Sequence, residues 1–368
     1  MKLFMMLLLS AAVYGQSVVP EGAKALFNGK DFTGWNIKPD GSAWKIEDGG
    51  VLHCYGKPSE PYVILTDGEY ENFELWLEFR MSHGCNSGVM VHQPDRGWGR
   101  ESRVGMELQV SDDAGKEAGI HSCGAVYSVI PPLVNAVRPA GLWNSYHIII
   151  DWPFLLIELN GQTIQNVNLD NYPQLKYRLR KGHIGLQNHG KEVEYRNIFI
   201  RELPSKEPAW KAFFNGKDLS GWEQVGNARW SVVNGELTAT GGDGYLVSKD
   251  PIDAGCEVQI FTAKKGNRGV SGVYYGWQNE TIKGYLSEFY DDSADVKLQY
   301  MEHNYYLTQI INYPTETTVF LNGIEIRKNT YRVNAKSGKI AIFHSATDPQ
   351  LRIPVIRIKP LEPLNLKK

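Results

Sequence analysis

The chain has 368 residues, 42% of them hydrophobic, with 39 basic against 41 acidic side chains and no basic tract. That is enough length and apolar content for two domains with their own cores, which argues against a disordered chain, and the balanced charge gives a phosphate backbone no footprint, which argues against nucleic acid as a partner. The ten Trp and nineteen Tyr are flat rings suited to β-core packing and to the apolar faces of sugars.

Residues 1–15 read as a secretory signal, with Lys2, an apolar run from Leu3 to Val13 and small residues before a cut after Gly15. The run is shorter than the ~20 apolar residues a membrane span needs, and no later stretch approaches that length. The expectation is a soluble protein without a membrane span, secreted or periplasmic. Next comes Ala25-Leu26-Phe27-Asn28-Gly29-Lys30-Asp31-Phe32-Thr33-Gly34-Trp35, which returns as Ala212-Phe213-Phe214-Asn215-Gly216-Lys217-Asp218-Leu219-Ser220-Gly221-Trp222. Trp44 to Gly49 is echoed by Trp230 to Gly235, and Leu159-Asn160-Gly161 by Leu321-Asn322-Gly323. A period this long predicts two copies of one domain, 24–203 and 209–362, joined by a short linker over 204–208 that holds Pro204 and Pro208.

Within each copy the hydrophobic period is two, as in Phe73 to Phe79 and Ile148 to Leu159, with Asn-Gly, Asp-Gly and Gly-Gly turns between the runs. No segment carries a sustained helical stripe. Short strands with one apolar face each predict an all-β fold of two antiparallel sandwiches. Cys54, Cys85, Cys123 and Cys256 show no C-x-x-C spacing for zinc or a redox dithiol, and at least one thiol is expected to be free.

Alternation assigns faces in three strands of the first copy. With Met106, Leu108 and Val110 inward, Glu107, Gln109 and Ser111 point outward. Burying Val89 and Val91 turns Asn86, Met90 and His92 out, and the same logic turns out His183, Gln187 and His189. Amides, imidazoles and one carboxylate solubilise poorly but both donate to and accept from sugar hydroxyls, so this face is the candidate site rather than a plain solvated surface. Asp112 and Asp113 close one strand as a turn, a metal ligand or a second acid, and His121 and Tyr127 stand nearby in sequence. Ordinary glycoside hydrolysis needs two carboxyl groups, and the strand through Glu107, Gln109 and Ser111 supplies one.

These motifs resemble the 3-keto-disaccharide hydrolase family, whose fold is similar to the concanavalin A-like lectin and glucanase jelly roll. The resemblance spans nearly all of 24–203 through Leu26 to Asp31, Asn86-Ser87-Gly88-Val89, Met106-Glu107-Leu108-Gln109, Gly124-Ala125-Val126-Tyr127, Pro139 to Asn144, Ile184 to Gly190 and Tyr195 to Ile198. His92 departs from it, since members often carry Arg there. The resemblance implies a carbohydrate substrate already oxidised at C3, with Glu107 as general base at C2, His189 and Gln109 assisting, and Asn86, His92, Asp112, His121, Tyr127, Trp143 and Gln187 as substrate contacts. No ligand spacing demands a cofactor, and a divalent metal on His92, Glu107, Asp112 and His189 is left open. The alternatives are a lectin-like protein without turnover and a two-carboxylate glycosidase using Asp112 or Glu78. The second copy places Leu286 at the position of Glu107 and Glu288 at that of Gln109, and is read as non-catalytic. Its Tyr274, Tyr275, Trp277, Tyr285 and Tyr290 are divided between core packing and a sugar platform.

Overall fold

The computed structural model describes residues 19–37, 43–56, 63–94, 104–206, 208–264, 271–277, 285–288, 304–313, 316–321, 324–330, 338–347 and 351–361. The leader reading of 1–15 and Tyr290 lie outside the described residues. In the first unit the strands are β1 (Lys24–Ala25), β2 (Trp35–Asn36), β3 (Trp44–Glu47), β4 (Val51–Cys54), β5 (Val63–Thr66), β6 (Phe73–Met81), β7 (Asn86–Gln93), β8 (Met106–Ser111), β9 (Asn144–Asp151), β10 (Phe154–Leu159), β11 (Gln162–Asn168), β12 (His183–Gln187) and β13 (Val193–Glu202). The second unit has β14 (Lys211–Ala212), β15 (Trp222–Val233), β16 (Glu236–Ser248), β17 (Cys256–Lys264), β18 (Gly272–Trp277), β19 (Tyr285–Glu288), β20 (Asn304–Tyr313), β21 (Glu316–Leu321), β22 (Ile324–Thr330), β23 (Lys339–His344) and β24 (Arg352–Pro360).

Among the described residues, the first unit forms an eight-stranded sheet ordered β11-β10-β9-β6-β13-β4-β3, with β1 beside β13, and a five-stranded sheet ordered β2-β5-β12-β7-β8. Alternation along β6 buries Phe73, Leu75, Leu77, Phe79 and Met81. These pack with Tyr146, Ile148, Ile150 and Tyr195 of the same sheet against Ile64, Val89, Val91, Met106, Leu108, Val110, Ile184 and Leu186 of the other. Each such large side chain taken out of water contributes about 1.5–3 kcal/mol. The chain is thus all-β, a concanavalin A-like sandwich that recurs in the second unit.

The repeated Asn-Gly-Lys-Asp segment is one local structure made twice. Asn28 Oδ1 accepts from the amides of Lys30 and Asp31, and Asp31 Oδ1 from that of Thr33. Asn215, Lys217, Asp218 and Ser220 repeat these bonds. The partners that hold the carboxylate ion, Asn28 and Thr33 at one turn and Ser220 and Asn215 at the other, lower Asp31 and Asp218 each to about 2.

Among the described residues of the second unit the strands form one eleven-stranded sheet, ordered β19-β18-β23-β16-β24-β17-β20-β21-β22 with β14 beside β24 and β15 beside β16. It closes on a core containing Leu237, Leu246, Val258, Ile260, Val273, Ile310, Ile342 and Ile356. The long β16 joins the two layers, pairing with β24 through Leu237 and Thr238 and with β23 from Gly244 to Val247.

Residues 204–206 are tied to the first unit: Asn72 Nδ2 donates to the Pro204 carbonyl, Ser205 Oγ to Glu71, and Lys206 pairs with Asp151. The units touch where Tyr177 stacks on Phe320 at 4.1 Å and where Val104 and Leu179 meet Leu307. None of the four cysteines is in a disulfide, and all are buried.

Candidate active site

The site is built on the outer face of the five-stranded sheet. Pairing of Met90 with Glu107 and of Gly88 with Gln109 sets β8 beside β7, and pairing of Gly185 with Met90 and of Gln187 with Val63 sets β12 and β5 in the same ladder. With Leu108, Val89, Leu186 and Ile64 inward in the core, alternation sends Glu107, Gln109, Met90, Gln187, Val63 and Leu65 outward. Val63, Leu65 and Met90 form their own apolar cluster there. Glu107 is nonetheless only 5% exposed, Gln109 and Gln187 3% each. Such burial of a carboxylate is costly unless hydrogen bonds hold it.

Gln187 Nε2 donates to Glu107 Oε1 at 3.3 Å. The carboxylate lies over Gly88, where a Cβ would stand 2.9 Å from Glu107 Cγ and 3.0 Å from Oε1. Glycine at this position is what gives the glutamate its bed. Gln187 keeps a second polar atom, Oε1, which together with Asn86 Oδ1 is buried and has no hydrogen-bond partner among the described residues. Two orphaned acceptors on one buried face are a standing cost that a bound group with O–H donors removes. Asn86 stands at the far end of the β7–β8 ladder, opposite Ser111.

The rim comes from the 119–130 segment. Tyr127 N donates to the Glu107 carbonyl and Gly124 N to that of Gln109, which adds this loop to the edge of β8. Gln109 Nε2 reaches the His121 carbonyl at 3.3 Å, the His121 and Tyr127 rings tilt together at 5.0 Å, and His121 Nε2 bonds Ser128 Oγ. His189 follows Gln187 by two residues, past the end of β12, and is exposed.

Three predicted contacts do not join this group. His92 departs from alternation because its backbone is left-handed, with φ at 53°, and the β12–β7 register shifts beside it. This bulge turns the ring into the core, where it meets Phe73 at 5.8 Å and Trp152 at 6.4 Å and bonds the Glu71 carbonyl through Nε2. Trp143 lies across the sandwich, over the outer face of the eight-stranded sheet, with the Arg80 and Arg196 guanidiniums against its ring. Asp112 spends its carboxylate on a turn, accepting from Gly84 N and facing His83. His183 does face outward, but its Nδ1 bonds the Thr66 carbonyl.

The same geometry bears on the alternatives. His92, Glu107, Asp112 and His189 do not form one ligand set, and among the described residues no three His, Cys, Asp or Glu side chains group as a metal site. Glu78, offered as a second acid, is on the opposite sheet and pairs with Arg196 at 2.6 Å.

Pairing also shows what replaces this site in the second unit. Gly272 pairs with Glu288 and Tyr274 with Leu286, matching Gly88 with Gln109 and Met90 with Glu107. Leu286 therefore holds the register position of the carboxylate. Phe343, paired with Gly272 and Tyr245, holds that of Gln187. Tyr245 lies 5.1 Å from Phe343 and 5.9 Å from Tyr274, all three half-buried, whereas Tyr275 is in the core. Sequence spacing did not single out Tyr245 and Phe343; strand register does.

A family model described as the 3-keto-alpha-glucoside-1,2-lyase-like domain matches residues 22–201 and again 209–359. A 3-keto-disaccharide hydrolase of Bacteroides thetaiotaomicron is 26% identical over 235 residues, covering 50% of this chain and 79% of that protein. Two crystal structures of candidate glycosyl hydrolases from Parabacteroides distasonis are also similar. One is 29% identical, with TM-score 0.43 over 49% of this chain and 99% of that one; the other is 27% identical, with TM-score 0.43 over 50% and 95%.

Proposed function

The chain belongs to the 3-keto-alpha-glucoside-1,2-lyase-like domain family, and from that premise we propose that its first unit cleaves the glycosidic bond of sugars oxidised at C3. A ketone at C3 acidifies the C2 hydrogen. Glu107 takes that proton, the resulting enolate expels the C1 oxygen, and water then adds to the enone to give the free 3-keto sugar. The leaving oxygen receives a proton from His189 or from water at the exposed rim. One carboxylate suffices for this route, and one well-held carboxylate is what the outer face offers.

The observation that carries the reading is Glu107 buried over Gly88 with Gln187 holding Oε1. Fixing the base in one rotamer supplies orientation before substrate arrives. Asn86 Oδ1 and Gln187 Oε1 accept from ring hydroxyls, and Tyr127 and His121 line the approach. The second unit lacks the carboxylate in register and acts as a non-catalytic companion whose half-buried Tyr245, Tyr274 and Phe343 suit the apolar face of a sugar. The leader-like start supports export to the periplasm or the exterior, which fractionation of the expressing cell tests.

Incubation of purified protein with a disaccharide and with its 3-keto derivative tests the reaction. Release of monosaccharide from the keto sugar alone is the expected result. Cleavage of the unoxidised sugar alone would sink the elimination route, and binding without cleavage of either would favour the lectin-like alternative.

A further inference from the structure

Trp143 belongs to a different hollow, of about 690 Å3, on the outer face of the eight-stranded sheet. Alternation along β6 and β13 buries Phe79, Met81, Val193 and Tyr195 and so turns Glu78, Arg80, Glu194 and Arg196 outward. The Arg196 guanidinium lies 3.9 Å from the Trp143 ring and that of Arg80 4.8 Å. Arg80 is paired bidentately with Glu194, and Arg196 with Glu78 through Nε. Exposed Arg138 also lines the hollow; its Nη1 donates to the Trp143 carbonyl, and it has no carboxylate partner among the described residues. Three guanidiniums against two carboxylates leave the hollow with an excess positive charge.

This wall is fixed in place. Gly141 N donates to the Met81 carbonyl, Arg138 N to Asn144 Oδ1 at 2.8 Å, and Asn160 Nδ2 holds the same Oδ1. The loop nevertheless leaves Leu142 53% exposed at the lip of the hollow. An aromatic ring, an exposed aliphatic lip and an uncompensated guanidinium in one concavity combine a surface for the C–H face of a ring with a donor fork for an anion.

We propose that this hollow is a second carbohydrate site, selective for a saccharide carrying a carboxylate or sulfate, with the anion on Arg138 and the ring against Leu142 and Trp143. It lies across the full sandwich from Glu107, so it does not depend on the cleavage reaction. A glycan chain held here would be retained near the protein after a bond is broken on the other face.

The test is calorimetric titration of the full-length Glu107→Gln protein, which removes turnover, with cellobiose, its 6′-uronate, its 6′-sulfate, and a short acidic peptide. Binding of an anionic disaccharide at least tenfold tighter than cellobiose, weakening with salt, is expected. Arg138→Gln should abolish that preference, and Trp143→Ala, checked for an unchanged melting profile, should weaken binding at least tenfold. Sulfate and uronate binding each support the site and distinguish the two anion sources. Equal affinity for cellobiose and its charged forms, insensitivity to Arg138→Gln, or peptide binding as tight as the sugar would overturn it.

Discussion

Gly88→Ala isolates the placement of the base from the stability of the fold. The added Cβ would stand 2.9 Å from Glu107 Cγ and 3.0 Å from Oε1, whereas carbon atoms rest at about 3.5–4.0 Å. The glutamate must therefore move by roughly 0.6–1 Å. It is the end of a side chain that yields, at a rotamer cost of about 0.5–1.5 kcal/mol, while replacing glycine returns about 0.4–1 kcal/mol by restricting the unfolded chain. Folding stability should change by no more than about 1 kcal/mol, a few degrees in Tm for a domain of this size. Activity should fall much further, because a displacement of about 1 Å costs on the order of a hundredfold. Monosaccharide release from a 3-keto-disaccharide, measured beside a melting curve, reads both quantities. A folded Gly88→Ala protein with activity within threefold of the parent would refute Glu107 as the positioned base.

Glu107→Gln keeps the shape but removes the proton acceptor, so kcat on the keto sugar should drop about 10²–10⁴-fold with Tm held or raised, as stopped time courses will show. Gln187→Leu removes both the bond to Glu107 and an orphaned acceptor; an increase in KM accompanied by a fall in kcat is expected, and a change in neither would deny it a role. His92→Ala should lower stability by about 2–4 kcal/mol in urea unfolding, because it deletes a buried ring and its bond to the Glu71 carbonyl at a left-handed position. Burial raises Cys85, Cys123 and Cys256 to about 12, so a thiol reagent at pH 8 should stay silent until the chain is unfolded. Because these thiols ionise later in the folded state than in the unfolded one, their contribution to stability is complete below about pH 9 and is lost as pH rises toward about 12.

Side-chain alternation makes much of the candidate site legible in the sequence. Met106, Leu108, Val110, Val89, Val91, Ile184 and Leu186 are all in the core, and that fixes the opposite direction for Glu107, Gln109 and Gln187. The rule failed at His92, where a left-handed residue shifts the ladder and one step of parity is lost. Nothing in the residue type announced that bulge. Trp143 was misplaced for another reason: a motif gives order along the chain, not the side of the sandwich a loop will cover. The bed under Glu107 was present in the sequence only as Gly88, whose meaning required the neighbouring strand. Register between strands likewise exposed Tyr245 and Phe343, which lie far apart in the chain and share no spacing.

The long β16 strand has a mechanical corollary. In the first unit the matching edges are short separate pieces, β4 in one layer and β5 in the other. In the second unit β15 and β16 stay paired from Trp222 with Ser248 to Val233 with Glu236, interrupted near Gly226. This hairpin acts as a hinge pin through both leaves, so a slip in one leaf would drag the other out of alignment. Among the described residues no strand of the first unit pairs in both of its sheets, so a shift in one of them is not passed on through a shared strand.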